Sequence, residues 1–266
     1  MQYPPAASTL LLVMKIHLLF RLALALPCLL VAGLAWRVLK AEDATASDRG
    51  DLWRVVHDLC SPMDRVTGLP LPCLKVKRGD GVAVIRAPTD VHRIIVVPIR
   101  KIPGVESPLL LGNEGENLWA AAWSERQTVI DAARRPLGWS DIGMAVNSRE
   151  RRTQDQFHIH VSCVDPRLRR ALEMHPPRRS GWFNLDLGPW ADHYRAKRIE
   201  SRDLDRNLFR MVAEELPGAR ESMGLQSLAV IGYGSETGEH GFLLLDSGDG
   251  GHAEELLDHS CQAERR

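Results

Sequence analysis

Gln156-Phe157-His158-Ile159-His160-Val161-Ser162-Cys163 alternates polar and apolar residues, the two-residue period of a β-strand. In that register Gln156, His158, His160 and Ser162 share one face, and Phe157, Ile159, Val161 and Cys163 the other. Two imidazoles side by side on a strand are costly to bury without partners. They are also suited to attacking an electrophile and to stabilising the charge that follows. The same pair fits two plainer readings, an exposed strand face or two ligands of a metal. No paired C-x-x-C spacing accompanies it to suggest zinc.

Polar residues just upstream fit an anionic group. Asn147, Ser148, Thr153 and Gln154 fall on the preceding strand and turn, where they can approach a phosphate or serve as ordinary turn residues. Lys101, then Arg100, can neutralise an anionic group, as can Arg149, Arg151 and Arg152. Each of these is equally a solvated surface charge. His57, His92, His175, His193, His240, His252 and His259 read as surface or structural residues. Trp182, Trp190 and Tyr194 fit either a packed loop or a membrane-facing surface.

The elements that must position these groups alternate in type. A helix is expected from Asp48 to Cys60, with Leu52, Val55, Val56 and Leu59 on one face, followed by a Pro/Gly-rich loop. Gly81 to Arg86 and Arg93 to Ile99 read as a hairpin. Asn113 to Arg135 reads as one long helix capped by Asn113, its core face carrying Trp119, Ala122, Trp123 and Ile130. Asp141 to Asn147 is a strand leading through a polar turn into the histidine strand, and Pro166 to Met174 a short helix. Residues 175 to 201 are too long for a simple connection. Asp203 to Glu215 reads as a helix, Leu225 to Gly232 with Gly241 to Asp246 as a closing hairpin, and a final helix carries Leu256, Leu257 and Cys261. Antiparallel hairpins with helices beside them indicate an α+β fold. There is no repeat, P-loop or G-x-G-x-x-G.

At 266 residues the chain can bury a sizeable core, as one domain plus an appendage. Its 34 basic and 34 acidic side chains balance, so no overall field draws it to nucleic acid. The front end is different. From Leu10 to Leu39 it is Leu/Ala/Val-rich, with an uncharged stretch from Leu22 to Trp36. That stretch is shorter than the roughly 20 residues that span a bilayer, but Arg21 and Arg37 can snorkel and Trp36 suits the interface. An uncleaved signal anchor at 1–40 and a 41–50 linker are expected, with the catalytic domain at 51–266 exported. The alternatives are a signal peptide cut near Ala44-Thr45-Ala46, or a lipoprotein cut at Cys28, where Pro27 occupies the place of a small residue. Met14 followed by Lys15 also fits a start. Cys60, Cys73, Cys163 and Cys261 remain, and an even count in an exported domain suggests disulfides with three possible pairings. Cys60 with Cys73 closes a short loop and is favoured, leaving Cys163 with Cys261.

His158-Ile159-His160, approached by Asn147-Ser148 and the Thr153-Gln154 turn, resembles the histidine-triad superfamily of nucleotide hydrolases and transferases. Those proteins carry His-x-His-x-His, and their middle histidine is the nucleophile. Here Gln156 stands first, His158 in the middle and His160 last. His92-Arg93-Ile94-Ile95-Val96-Val97-Pro98 is similar to the family's strand before the active site. Arg100-Lys101 take the place of a histidine that normally follows its proline.

A longer ordered set narrows the match: Cys60 and Cys73, Glu106-Ser107-Pro108-Leu109-Leu110, Asn147-Ser148-Arg149, Arg152-Thr153-Gln154, the histidine strand, and Glu214-Glu215 before Pro217. From about residue 49 onward it resembles the bacterial CDP-diacylglycerol pyrophosphatase family. The resemblance implies an antiparallel, histidine-triad-like sheet flanked by helices behind a transmembrane segment. It implies an inner-membrane, single-pass enzyme with a periplasmic domain that releases CMP and phosphatidate. CDP-diacylglycerol and membrane lipid are the implied partners, without nucleic acid, cofactor or metal. His158, with His160 and Gln156, forms the implied catalytic set, and Asn147, Ser148, Thr153, Gln154 and Lys101 the substrate contacts. Two other readings stand beside it: a tethered hydrolase or transferase of soluble nucleotides, and a non-catalytic envelope protein that binds a ligand or metal.

Overall fold

A computed structural model describes residues 48–87, 90–174, 181–185, 194–234 and 240–261. The chain divides into units Met1–Ser47 and Asp48–Arg266. The expected anchor, most of the linker, and His175, Trp190 and His193 lie outside the described residues. Among the described residues no helix is long and apolar enough to cross a membrane.

Ten strands of the described residues join in one antiparallel sheet: β1 (Lys75–Lys77), β2 (Val82–Arg86), β3 (Ile94–Pro98), β4 (Ile142–Val146), β5 (Ile159–Val164), β6 (Phe183–Asn184), β7 (Arg195–Glu200), β8 (Ser227–Gly234), β9 (His240–Ser247) and β10 (Leu257–Asp258). Their order is β1-β2-β3-β5-β4-β8-β9-β7-β6, with β10 paired to the far end of β5. The fold is α+β, and the two hairpins read from the sequence are both present.

The two-residue period divides the sheet's side chains cleanly. Phe157, Ile159, Val161 and Cys163 enter a main core with Ile94 and Val96 of β3, Met144 and Val146 of β4, Val230 of β8 and Leu244 of β9. Trp119, Trp123, Val129 and Phe209, from helices Leu118–Ser124, Arg126–Ala132 and Leu208–Glu215, cover that face. The opposite face holds two smaller clusters. Leu52, Val56, Cys60 and Cys73 pack there on Ala83 and Val97 of β2 and β3. Leu168, Leu172, Ala253 and Leu256 pack on Ala145, Ala229, Ile231 and Leu243 of β4, β8 and β9. His160 pairs in register with Ile95 on one side and Ala145 on the other, so it occupies the seam between these clusters.

Several elements differ from the sequence expectation. The first helix does not stop at Cys60: an α turn at Asp51–Arg54 runs through a π turn at Val55–Cys60 into an α-helix at Ser61–Thr67. The π turn restarts the hydrogen-bond ladder, so Pro62 falls in a first turn where no N–H is required. Gly68, at φ 72°, ends it in the left-handed region that glycine favours. The long helix at 113–135 is broken into a 3-10 turn and two short helices. Asn117 adopts a left-handed φ of 58°, and a Cβ at Gly115 would meet the Leu110 carbonyl at 1.9 Å. Asn113 makes no capping hydrogen bond; Asn207 does, accepting from Arg210 N ahead of helix Leu208–Glu215. The 175–201 excursion contains β6 and β7, which extend the sheet. The expected last helix is a 3-10 turn at Ala253–Leu256 followed by β10. Both favoured disulfides are present, Cys60–Cys73 and Cys163–Cys261.

Candidate active site

The imidazole of His158, one residue ahead of β5, is fixed by the backbone that leads into that strand. Its Nδ1 lies 2.7 Å from the carbonyl oxygen of Gln156, which can only accept, so Nδ1 carries the proton and Nε2 keeps a free lone pair. The His158 and His160 rings meet edge to face, with centroids 4.7 Å apart. His158 is 9% exposed and His160 6%. Burial lowers the pKa of His158, against the opposing pull of the Gln156 carbonyl and Glu254. Burial and then His158 hold His160 well below the usual histidine range, against the opposing charge of Glu254. Both rings are therefore neutral near pH 7, the state in which an imidazole attacks.

Gln156 does not present its amide to a phosphate. Its Nε2 donates to the carbonyls of Pro98 at 3.0 Å and Arg100 at 2.9 Å, and its Oε1 accepts from Ile102 N at 3.2 Å. Phe157 N also donates to Ile102 O at 2.6 Å. Both amide hydrogens are committed within the protein. The side chain clamps loop 98–102, and the loop in turn holds the backbone carbonyl that orients His158.

Behind His160 sits Glu254, which the sequence reading did not single out. Its Oε2 lies 3.3 Å from His160 Nε2 and 3.5 Å from His252 Nε2, and its Oε1 lies 3.4 Å from His259 Nε2. Arg93 pairs with the same carboxylate, and Asn147 brackets it, donating from Nδ2 at 3.0 Å and accepting from Glu254 N at 3.1 Å. Burial would raise the carboxyl of Glu254; the His252 bond, the adjoining His160, the Arg93 charge and the Asn147 amide outweigh it and hold the pKa far below the usual range. With His160 itself neutral, the permanent cation of this group is Arg93. The Cys163–Cys261 bridge and β10 strap this segment to the end of β5. The only sequence cue was the density of His and acidic residues between 252 and 259.

The remaining expected contacts scatter. Asn147 follows β4 on the face of Gly143 and Ala145 and supports Glu254, although no phosphate role had to be assumed to place it. Ser148 is fully buried and its Oγ has no hydrogen-bond partner. Neither ring nitrogen of His160 makes a regular hydrogen bond, so the seam holds polar atoms that a bound ligand can satisfy. Gln154 accepts from Leu52 N at 2.8 Å at the start of the first helix. Thr153 is exposed, and exposed Lys101 lies 5.9 Å over the Trp53 ring. Arg152 is buried and makes a two-pronged pair with Glu106, both contacts at 2.7 Å, while Arg49 and Arg152 together hold Asp155 at a pKa of about 2. Arg152 thus braces the turn into the histidine strand.

Two cavities of about 460 and 390 Å³ open elsewhere; Glu116 and Asp205 line both, with Arg206, Arg210, Glu214 and Glu215 in the first and Lys77 and Asp80 in the second. Among the described residues no group of three or more His, Cys, Asp or Glu side chains could hold a metal ion.

The profile of the family described as CDP-diacylglycerol pyrophosphatase matches residues 47–265 of the chain. A CDP-diacylglycerol pyrophosphatase of Yersinia pestis is 34% identical over 251 residues, covering 91% of this chain and 93% of that protein. The matched span takes in every strand, both disulfides and the whole histidine seam. By both measures the chain belongs to the CDP-diacylglycerol pyrophosphatase family.

Proposed function

We propose that this chain hydrolyses the diphosphate of CDP-diacylglycerol to CMP and phosphatidate through a nucleotidyl intermediate on His158. Family membership and the name of the Yersinia relative support the overall reaction. The covalent route rests on one observation: Nδ1 of His158 is held on the Gln156 carbonyl, which leaves Nε2 as a neutral, oriented nucleophile.

In the first step Nε2 forms a bond to the phosphorus of the cytidylyl unit. The bond from that phosphorus to the bridging oxygen breaks, and phosphatidate leaves. The ring gains positive charge as the bond forms, and the Nδ1–H···O=C contact strengthens with it. In the second step water attacks the same phosphorus and gives up a proton to solvent, the N–P bond breaks with its electron pair returning to Nε2, CMP departs and the neutral imidazole returns. A bound diphosphate favours protonation of His160, whose Nε2 faces Glu254, so that its Nδ1–H can donate to a phosphoryl oxygen. Asn147 and Arg93 hold Glu254 in place for that role. The His158-x-His160 strand keeps the likeness to histidine-triad proteins, with Gln156 as a clamp at the first position. The apolar run at 10–39 is assigned as an inner-membrane anchor with the domain on the periplasmic side, consistent with two disulfides.

The experiment incubates the purified full chain with CDP-diacylglycerol labelled in the cytidylyl phosphate. Release of labelled CMP, and acid-labile label on the protein that disappears in His158→Ala, is the expected result. CMP release with no label on the protein under rapid quench, and with His158→Ala still active, overturns the covalent route.

A further inference from the structure

Leu59, Met63 and Val66 recur at i, i+4 and i+7 along the first helical segment, which places them on one face. The inward stripe of the same segment, Leu52, Val56 and Cys60, is already buried on β2 and β3. Leu69, Leu71 and Leu74 follow in the Pro/Gly loop, and Cys60–Cys73 staples that loop back onto the helix. These six side chains are 38–84% exposed, and they are six of the eight large exposed hydrophobics among the described residues. Soluble surfaces scatter such residues singly; a contiguous, stapled set marks an interaction surface.

We propose that residues 59–74 form a membrane-contact surface through which the globular unit rests on the bilayer that carries its substrate. The inference depends on the lipid substrate proposed above. Three features favour a lipid surface over a second copy of the chain. From Val66 to Leu74 there is no charged residue, and Arg65 and Lys75 flank the stretch, an arrangement that suits apolar side chains below and anionic headgroups around them. Arg65 makes no ion pair among the described residues. The uncharged run Leu22–Trp36 ends only eleven residues before Asp48, which an extended chain covers in at most about 40 Å. The start of the same helix touches the turn before the histidines through Leu52 N on Gln154, and the 98–102 loop through Lys101 over Trp53. A bilayer that seats one end of this helix therefore acts on the turn that leads into the histidine strand.

The test uses the full chain in phosphatidylcholine–phosphatidylglycerol vesicles containing a phosphatidylcholine with a photoactivatable acyl chain. Label in peptides covering 59–74, besides any in 1–47, is expected. No label at 59–74, or cross-links from it to another copy or to residues 1–47 instead, overturns the proposal. A Leu69→Ser/Leu71→Ser variant should lose about tenfold in kcat/KM on vesicle substrate and keep its rate on a water-soluble short-chain CDP-diacylglycerol. Unchanged vesicle kinetics, or equal loss on both substrates, overturns it. If the unmutated chain turns over neither substrate, the functional reading fails, and the labelling pattern still decides the contact surface.

Discussion

On one face of β5 and the two residues leading into it, Phe157, Ile159, Val161 and Cys163 enter a core that runs across β3, β4, β8 and β9; one residue along, His158 and His160 meet a carbonyl, a carboxylate and an arginine. Both faces are largely buried, and the two imidazoles are nearly as enclosed as many core aliphatics. The difference lies in what burial does. On the apolar face it is the stabilising term itself. On the polar face it is a cost that shifts two histidines to neutrality, and only the surrounding dipoles and charges make that neutrality useful. The apolar face should therefore be sensitive to volume and the polar face to single atoms.

His158→Ala tests the contrast most severely. On the proposed route it should lower kcat on the order of 10⁴-fold, because the nucleophile would be gone and binding and electrostatics alone would remain. Urea denaturation should show a comparatively small change in stability. Ile159→Ala, the next residue, should do the reverse. It should cost about 2–5 kcal/mol of stability, with the kcat of the folded fraction within about twofold. Similar losses of activity in the two variants would dissolve the distinction between the faces.

Glu254→Gln sharpens it further. The carboxylate supports His160 and raises the pKa of His158 by its charge. Its loss should reduce plateau kcat about 10- to 100-fold, the range of a positioned acid–base partner. On the proposed route a protonated His158 cannot attack, so activity of the unmutated chain should fall only below the ordinary histidine pKa of 6.5 and stay flat through neutrality. Removing the Glu254 charge lowers the pKa of His158 again, so the acid limb should move to lower pH in the variant. A purely structural Glu254 would lower the plateau without moving the limb. The carboxyl's own linkage runs the usual way for a depressed group. Its folded pKa lies below the reference value of 4.5, so its stabilisation is present above that value and lost as pH falls through the folded pKa.

The strand, its faces and both hairpins were legible because a two-residue period is written locally. The disulfides were legible from an even cysteine count and one short loop. Glu254 was not, because β10 brings it beside His160 from 94 residues along the chain, and nothing local marks a carboxylate as the hub of three histidines. The long helix at 113–135 failed for a related reason. Its periodicity is sound, but the packing of Gly115 on Leu110 and Asn207 and the salt bridges of buried Glu125 with Lys75 and Lys77 are tertiary. β6 and β7 were hidden in a segment whose Trp, Pro and Arg content reads as loop.

Gln156→His gives the smallest expected effect and the finest test, because it restores the histidine that the family resemblance places first. A neutral imidazole has one donor and one acceptor. It cannot give hydrogen bonds to both Pro98 O and Arg100 O while accepting from Ile102 N, as Gln156 does. At least one buried backbone group is left without a partner, a cost of about 1–3 kcal/mol. The variant should therefore unfold at lower urea. Its kcat should stay within a few-fold of the parent, since the Gln156 carbonyl that orients His158 belongs to the backbone and survives the substitution. A gain in both stability and kcat would mean that position 156 faces the reacting phosphate after all, and that the polar face of β5 begins two residues earlier than its hydrogen bonds indicate.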